Sequence, residues 1–431
     1  MTVNLSSRID NYAIYLPALN QTQVEFVVGE PTPPYRVRPV DLNFLDGRSK
    51  LWTYKWCLGS AGHFAYTRKP DAITQRDPEW SWVMGDSGGY QVGTGTLKDL
   101  RGWQAHARDP LVIAQLWRRS LVTEPILRWL DLHCDCAMTV DIPLWVRMPK
   151  FKNSPFHHCG LEILTDLTIE NLRYISNHRG VVGNCQFLNV LQGNDDDEEE
   201  YWYRRVREFD FEGWAIGGSV GAGLNLQRLL KRMLLLRDEG MLGGRKGRFH
   251  ILGISQIKWA VVLTAIQRAV QKCTGSQFTV TFDTATPVLS AGRFQRHVKP
   301  PNLTRDLKSW KFTYAAFPVG LAAATKNADQ PFPAGSPLSR LLTIGDMNPK
   351  TSPYAAQTFD QFGYVALANH NTYVLLRAFI DANKAVCHGR TVPQPIADMV
   401  GTIGQLFASE RWSSLLKSSG ALIAALGMRS I

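Results

Sequence analysis

The feature that most constrains the fold of this chain is a unit of one strand followed by one helix, which recurs through its middle part. Short runs of apolar and β-branched residues each end in a polar residue or in glycines, and a segment with helical periodicity follows. Consecutive units of this kind predict a parallel sheet with the helices outside it, because parallel strands need a crossover connection. The predicted strands are Trp80–Met84, Ala137–Val140, Phe187–Leu191, Gly213–Ile216, Phe249–Leu252 and Phe278–Phe282, and the predicted helices are Leu111–Leu130, Leu161–Ser176, Glu198–Phe209, Leu226–Glu239 and Ile257–Lys272.

Two more strands are expected before residue 80, at Val24–Val28 and Leu51–Lys55. Eight strand–helix units close a barrel, so the predicted fold is α/β, a (β/α)8 TIM barrel. Residues 1–300 would form the barrel and its catalytic face. Pro and Gly cluster just after that point, and residues 301–431 would complete the barrel and add a mostly helical extension.

Polar residues and glycines stand where the predicted strands end. In a parallel barrel these ends meet at one face, which carries the active site. The aspartates could equally cap helices or form turns, the amide could be a buried group satisfied by backbone, and the glycines could serve packing. The acidic run Asp195–Glu200 is expected to begin a helix, where the macrodipole favours acidic residues, rather than to bind a metal. The candidates at the strand ends are Asp86, Asp141, Gln192, Gly217, Gly218 and Asp283.

The charge of the chain suggests a class of partner. Lys and Arg number 48 against 37 Asp and Glu, a formal net charge of +11. Such an excess attracts polyanions by counterion release, which favours nucleic acid, although a merely basic enzyme remains an equal alternative. No apolar run reaches the roughly 18 residues of a membrane span. The opening residues lack a secretory pattern and cysteines are sparse, so we expect a protein of the reducing cytoplasm with no membrane association.

One motif is more specific than a glycine-rich turn. DSGGYQV at Asp86–Val92 resembles the DSGG[FY]Q signature of the tRNA-guanine transglycosylase family, whose members exchange guanine in a polynucleotide for a 7-deazaguanine. Further segments resemble that family in the same order: AMTVD ending at Asp141, NVLQG at Asn189–Gly193, AIGGSVG at Ala215–Gly221 and FDTATPVLSAGR at Phe282–Arg293. Residues 1–80 match poorly, and the tail matches only loosely.

The resemblance implies the catalytic roles. Replacing a base at C1′ with retention needs a carboxylate nucleophile and a covalent glycosyl intermediate, as in retaining glycosidases. By resemblance Asp283 is that nucleophile, and Asp86 handles the proton at N9 of the departing and arriving bases. Asp141 would accept hydrogen bonds from N1–H and the 2-amino group of guanine. No cofactor is required for this chemistry.

The remaining base-binding roles are also implied by the resemblance. Gln192 and the backbone N–H of Gly218, next to Gly217, would read O6 and the neighbouring edge. Tyr90 would stack on the base, although by itself it could be a core residue, and Leu252 would cover the other face. Ser87 and Gly88 would keep the turn tight and let the backbone approach the ligand.

The chain departs from the family at the zinc site. The tRNA enzymes carry CxCxxC and a distant histidine, whereas residues 336–348 here contain no cysteine. His370, within ANHN, stands where the zinc histidine would be, and we expect it to serve the core or cap a helix. Two other groups, His133, Cys134 and Cys136, and His157, His158 and Cys159, are predicted at opposite ends of the barrel. The sequence therefore predicts no metal and no zinc subdomain.

This departure bears on the substrate. The DNA-guanine transglycosylases of phages and bacterial modification islands diverge in such peripheral parts, so DNA is the preferred partner and 7-cyano-7-deazaguanine an example of the inserted base. A tRNA substrate, or a catalytically silent binding subunit, stays as an alternative, and the sequence leaves open whether the chain forms a homodimer. Residues predicted to contact phosphates, or alternatively to be solvated surface charges, are Arg293, Arg296, Lys299, Arg147, Lys150 and Lys152.

Overall fold

Eight parallel strands close into a barrel in the computed structural model, which describes residues 2–29, 36–67, 69–217, 225–318, 329–347, 360–389 and 392–428. The strands are β1 (Val3–Asn4), β2 (Ile14–Leu19), β3 (Trp52–Thr53), β4 (Trp56–Ser60), β5 (Trp82–Asp86), β6 (Cys136–Met138), β7 (Gln186–Leu191), β8 (Gly213–Gly217), β9 (Arg248–Leu252), β10 (Thr279–Thr284), β11 (Arg296–Lys299) and β12 (Thr313–Ala316). Around the barrel the strand order is β10-β2-β4-β5-β6-β7-β8-β9, and every pairing is parallel. The predicted TIM barrel is confirmed.

Helices surround the barrel and make up most of the C-terminal region, as predicted. Among the described residues, no helix combines the length and the apolarity that crossing a bilayer requires. The α-helices up to residue 300 are Gln21–Phe26, Ala61–Phe64, Gly89–Thr94, Pro110–Arg119, Thr123–His133, Leu161–His178, Asp196–Val206, Leu226–Asp238, Ile257–Thr274 and Thr286–Gly292. Among the described residues after it, the α-helices are Gln361–Cys387, Gln394–Ala408, Trp412–Ser418 and Gly420–Leu426.

The predicted first strand, Val24–Val28, is wrong. Most of that segment lies in the helix Gln21–Phe26, which begins because the Asn20 side chain accepts a hydrogen bond from a backbone N–H of the first turn. The first barrel strand is β2, which precedes this helix. Pro17 lies inside β2 and argues against a central strand on sequence grounds, because proline cannot donate to the ladder.

The second early prediction, Leu51–Lys55, is wrong as a barrel strand. Only β3 forms within it, and β3 pairs with β1 in a separate two-stranded sheet. The barrel strand is β4, which follows directly. The predicted helix Leu111–Leu130 is also two helices, separated after Arg119, and Pro125 in the first turn of the second helix cannot continue the preceding one.

The barrel interior is filled rather than hollow. Inward-facing side chains of six of the strands form one apolar cluster, and Leu252 packs against it from the C-terminal end of β9. A closed interior leaves the C-terminal mouth as the place where polar side chains collect. The members of the cluster are Leu16, Leu58, Met84, Cys136, Met138, Leu188, Val190 and Ala215.

The long helix Gln361–Cys387 ties the C-terminal region to the barrel. Its ANHN segment is fully buried, and Asn369 accepts a hydrogen bond from Trp52 Nε1 at 2.9 Å. His370 uses both ring nitrogens, toward Ser336 Oγ at 2.9 Å and the Val298 carbonyl at 3.2 Å. Burial lowers the pKa of His370 to about 4, so the ring is neutral at physiological pH. His370 is therefore a core residue, as predicted.

Candidate active site at the C-terminal mouth of the barrel

The turn after β5 is built from glycines for steric reasons. Gly88 has a φ of 86°, a left-handed conformation that favours glycine. A Cβ at this position would lie 2.7 Å from Cα of Gly62, so the two backbones pack directly against each other. Ser87 is buried beside them. This turn fixes Asp86 at the end of β5, where it pairs in register with Ser60 of β4.

At the mouth, Asp86 lies within electrostatic reach of two other carboxyl groups, those of Asp141 and Asp283. Burial raises the pKa of Asp86, and the charge of Asp283 raises it further, while Ser60 and the Gly88 N–H act in the opposite direction. Burial raises the pKa of Asp141 to about 7, and repulsion from Asp86 contributes. The structure thus brings Asp86 close to both of the other aspartates named from the sequence, and burial raises the pKa of both Asp86 and Asp141.

Asp283 is held by the segment that follows β9. Its Oδ1 accepts a hydrogen bond from the Gly253 N–H at 2.9 Å, and its backbone carbonyl accepts one from Ile254 at 2.7 Å. The residue lies on β10 and is 8% exposed. The Asp283 side chain is thus mostly buried and one of its oxygens is held in place. Both properties suit a side chain that must meet a ligand in one orientation.

Gln192 is oriented by two partners. Its amide nitrogen donates to Asp141 Oδ2, and its amide oxygen accepts the Leu144 N–H at 2.7 Å. Because the amide group is planar, these two hydrogen bonds also fix the direction of the second amide hydrogen of Gln192. Gly89 lies beside Asp141, and a Cβ there would be in ordinary van der Waals contact with Oδ1 at 3.6 Å.

An aromatic row borders the mouth on the side of Tyr90. Tyr90 is 57% exposed, and its ring centroid lies 5.9 Å from that of Trp145. Trp145 in turn lies 4.3 Å from Phe151, and Lys150 Nζ stands 5.1 Å over the Phe151 ring. Gly93 makes room for this row, because a Cβ there would come within 2.6 Å of the Trp145 ring.

Leu252 lies at the end of β9, opposite Gly217 of β8 in the parallel register. The nearest atom to a Cβ built on Gly217 is Leu252 Cδ1, at 3.9 Å. These two residues border the mouth where β8 and β9 end. Gly218, which the resemblance implicates in base recognition, lies outside the described residues.

The first set of predicted phosphate contacts is exposed, but its members do not all lie on a loop. Arg293 follows the helix Thr286–Gly292, whereas Arg296 and Lys299 are the ends of β11 in a ribbon with β12. Arg293 and Arg296 stand 5.4 and 5.9 Å over the ring of Phe294, which is 52% exposed. Strand alternation directs Arg296 and Lys299 to opposite faces of the ribbon.

The second set of predicted phosphate contacts consists of Arg147, Lys150 and Lys152, and its members differ in their contacts and exposure. Arg147 forms an ion pair with Glu198, which also accepts hydrogen bonds from Asn194. A phosphate would have to compete with that carboxylate for Arg147. Lys150 and Lys152 are exposed.

The acidic run serves its helix, as predicted. Asp195 caps the helix Asp196–Val206 by accepting the Glu198 N–H. Glu199 is buried and paired with Arg228 and Arg232 of the next helix. Among the residues that the structure describes, no group of three or more acidic, histidine or cysteine side chains is arranged to hold a metal.

Three residues near the aspartates were not singled out from the sequence. Gln91, in the DSGGYQV motif, lies 2.8 Å from His63 by their Nε2 atoms. Desolvation lowers the pKa of His63, and the charge of Asp86 opposes this. His250 of β9 lies with Nε2 3.4 Å from Asp283 Oδ1. The sequence contains one indication of His250: side chains alternate between the two faces of a strand, so His250 lies on the same face of β9 as Leu252.

Comparison of the chain with known protein families and with curated proteins finds no match in either.

Proposed function

We propose that the chain is a DNA-guanine transglycosylase of the cytoplasm, a pentosyltransferase that exchanges guanine in DNA for a 7-deazaguanine such as 7-cyano-7-deazaguanine. The observation that carries this proposal is the convergence of Asp86, Asp141 and Asp283 in different surroundings at the barrel mouth. Base exchange needs three such groups: a nucleophile, a proton carrier and an acceptor for the donor edge of guanine. The order of motifs along the chain supports the same assignment.

The first half-reaction breaks the bond between C1′ and N9 of guanine. A carboxylate oxygen of Asp283 forms a bond to C1′, and guanine leaves with the proton that Asp86 donates to N9. The raised pKa of Asp86 keeps a protonated fraction available for this step. The sugar then remains attached to Asp283 as a glycosyl ester.

The second half-reaction reverses these roles. Asp86, now ionised, removes the N9 proton of the incoming 7-deazaguanine, whose nitrogen attacks C1′ and releases the Asp283 carboxylate. Two displacements at C1′ give overall retention of configuration. No redox step occurs, and the electrons balance without a cofactor.

Recognition of the base follows from the partners of Asp141. Once ionised, its carboxylate accepts from N1–H and the 2-amino group, and the free amide hydrogen of Gln192 donates to O6. Tyr90 and Leu252 would border the two faces of the ring. The target nucleotide must be unstacked to reach this position, and cationic contacts to the backbone offset that cost.

The choice of DNA over tRNA rests on the sequence departure at residues 336–348, which lack the zinc cysteines of the tRNA enzymes. The direct test is to incubate the protein with radiolabelled guanine and either DNA or tRNA, and to measure label incorporated into polymer. We expect incorporation into DNA that is lost in Asp283→Ala. Incorporation of label into tRNA alone would show that the substrate is tRNA rather than DNA. Incorporation into neither polymer would overturn the proposal.

A further inference from the structure

A histidine is enclosed in the barrel next to the proposed nucleophile. His250 is 0% exposed and pairs in register with Thr281 of β10, two residues before Asp283. Its Nδ1 lies 2.8 Å from Thr281 Oγ1, and its Nε2 lies 3.4 Å from Asp283 Oδ1. Nε2 forms no hydrogen bond to any described residue, which is unusual for a buried polar atom. The unpaired Nε2 therefore lies beside Asp283, at a distance from which a small movement would form a hydrogen bond.

The two ring contacts favour one tautomer. If Nδ1 carried the hydrogen, the lone pair of Nε2 would face a carboxylate oxygen. If Nε2 carries it, Nδ1 accepts from the Thr281 hydroxyl and Nε2 becomes a donor within reach of Asp283 Oδ1, so both ring nitrogens can be satisfied. The 3.4 Å separation is longer than a hydrogen bond, and catalytic contacts of this kind commonly shorten when the reacting complex forms.

This arrangement distinguishes the two oxygens of Asp283. Oδ1 faces two donors, the Gly253 N–H and His250 Nε2. Within the described part of the chain, no hydrogen bond to Oδ2 is found. When Oδ2 forms its bond to C1′ and the C1′–N9 bond breaks, Oδ1 becomes the carbonyl oxygen of the ester, and the same two donors remain on it.

We propose that His250 is a positioning residue: it holds Oδ1 of Asp283 through Nε2–H, so that Oδ2 is the atom presented to C1′. This inference rests on the proposed function, because it assigns a role within the same reaction. His250 itself forms no bond to the substrate.

The test measures covalent trapping of DNA on Asp283 in single-turnover experiments. His250→Phe keeps the ring volume and removes both nitrogens, and we expect its trapping rate to fall by about 10- to 100-fold, the range typical for groups that orient a reacting side chain. Affinity for DNA, measured separately by titration, should stay within about twofold, since His250 is buried away from phosphates. His250→Gln retains an N–H in place of Nε2–H and should restore most of the rate.

A matched control addresses folding. His370→Phe removes another fully buried histidine, which lies in the C-terminal region, and should leave the trapping rate of the folded protein unchanged. Should His250→Phe fail to fold, His250→Gln and Thr281→Val still test the contact. Equal trapping rates in wild type, His250→Phe and His250→Gln would overturn the positioning role, and absence of trapping in wild type would instead overturn the proposed function.

An independent measurement decides the pairing without any activity. Long-range ¹⁵N NMR of histidine-labelled protein reports which ring nitrogen carries the hydrogen, and His250 is assigned by its missing signals in His250→Gln. We expect the Nε2–H tautomer. The Nδ1–H tautomer would overturn the proposed contact with Asp283, whether or not the protein exchanges bases.

Discussion

Replacing Asp141 by asparagine removes an ionisable group from a buried position, so we expect Asp141→Asn to be more stable than wild type at neutral and alkaline pH. The group is 6% exposed, and its pKa rises from 3.8 to about 7, chiefly because of burial and then because of the charge of Asp86. Asparagine keeps the size of the side chain and an oxygen that can accept from Gln192.

The magnitude follows from the difference in proton affinity between the folded and unfolded states. Below about pH 4 the carboxyl group is protonated in both states, and the aspartate carries no penalty. Between pH 4 and 7 the unfolded chain releases its proton while the folded protein keeps it, so wild-type stability falls by about 1.4 kcal/mol per pH unit. Above pH 7 the penalty is constant, with an upper limit of about 4 kcal/mol for a shift of about three units.

The assay is urea unfolding followed by tryptophan fluorescence, which the 13 Trp residues of the chain support. We expect the stability difference between Asp141→Asn and wild type to be near zero at pH 4, to grow through pH 7 and then to level off. In activity the variant should lose guanine selectivity, because half of the acceptor pair becomes a donor facing a donor edge. A stability difference that does not change with pH would refute a raised pKa at Asp141.

Three further predictions concern turnover, polymer binding and the turn. Asp86→Asn should lower turnover by about 100-fold or more, because an amide can transfer the N9 proton in neither half-reaction, and denaturing gels should show slower formation of the covalent intermediate. Neutralising Arg293, Arg296 and Lys299 together should weaken DNA binding and flatten its log–log salt dependence by up to about three units, measured by fluorescence titration at several salt concentrations. Gly88→Ala should destabilise the protein by about 2 kcal/mol or more in urea unfolding, because a left-handed conformation and a close backbone contact both oppose the new Cβ.

Controls separate these effects from general ones. Neutralising Arg119, Arg128 and Lys272, exposed cations of the outer helices, should change the salt dependence less than the first triple variant does. Equal log–log salt slopes of DNA binding in wild type and in the variant that lacks the charges of Arg293, Arg296 and Lys299 would show that these three residues do not contact DNA phosphates. Wild-type turnover in Asp86→Asn would exclude Asp86 as the proton carrier, and wild-type stability in Gly88→Ala would show that the turn tolerates a side chain.

The barrel was predictable where the strand–helix alternation is regular, between residues 80 and 283. The first two strands were not, for physical reasons that concern particular residues. Pro17 argues against a strand at β2 on sequence grounds, although the hydrogen-bond ladder tolerates a proline near the strand end. Asn20 starts a short helix in an apolar segment that otherwise resembles a strand. Trp52 belongs to a small sheet beside the barrel, a tertiary arrangement that local sequence does not encode.

The candidate site was predictable in part. Asp86, Asp141 and Asp283 follow short apolar runs, and parallel strands bring their C-terminal ends together. The pairing of His250 with Asp283 depends on the register between β9 and β10, which alternation within one strand cannot supply. The ion pair that occupies Arg147 likewise depends on two segments meeting at the mouth, so a cation that looks free in the sequence has a partner in the fold.

The most direct test of the central claim is to identify the residue that becomes attached to DNA. Wild-type protein, Asp283→Ala and Asp86→Asn would each be incubated with a guanine-containing oligonucleotide, denatured, digested and analysed by mass spectrometry. We predict a deoxyribosyl adduct on the peptide that contains Asp283, present in wild type, formed more slowly in Asp86→Asn and absent in Asp283→Ala. An adduct on another residue, or base exchange that persists in Asp283→Ala, would contradict it.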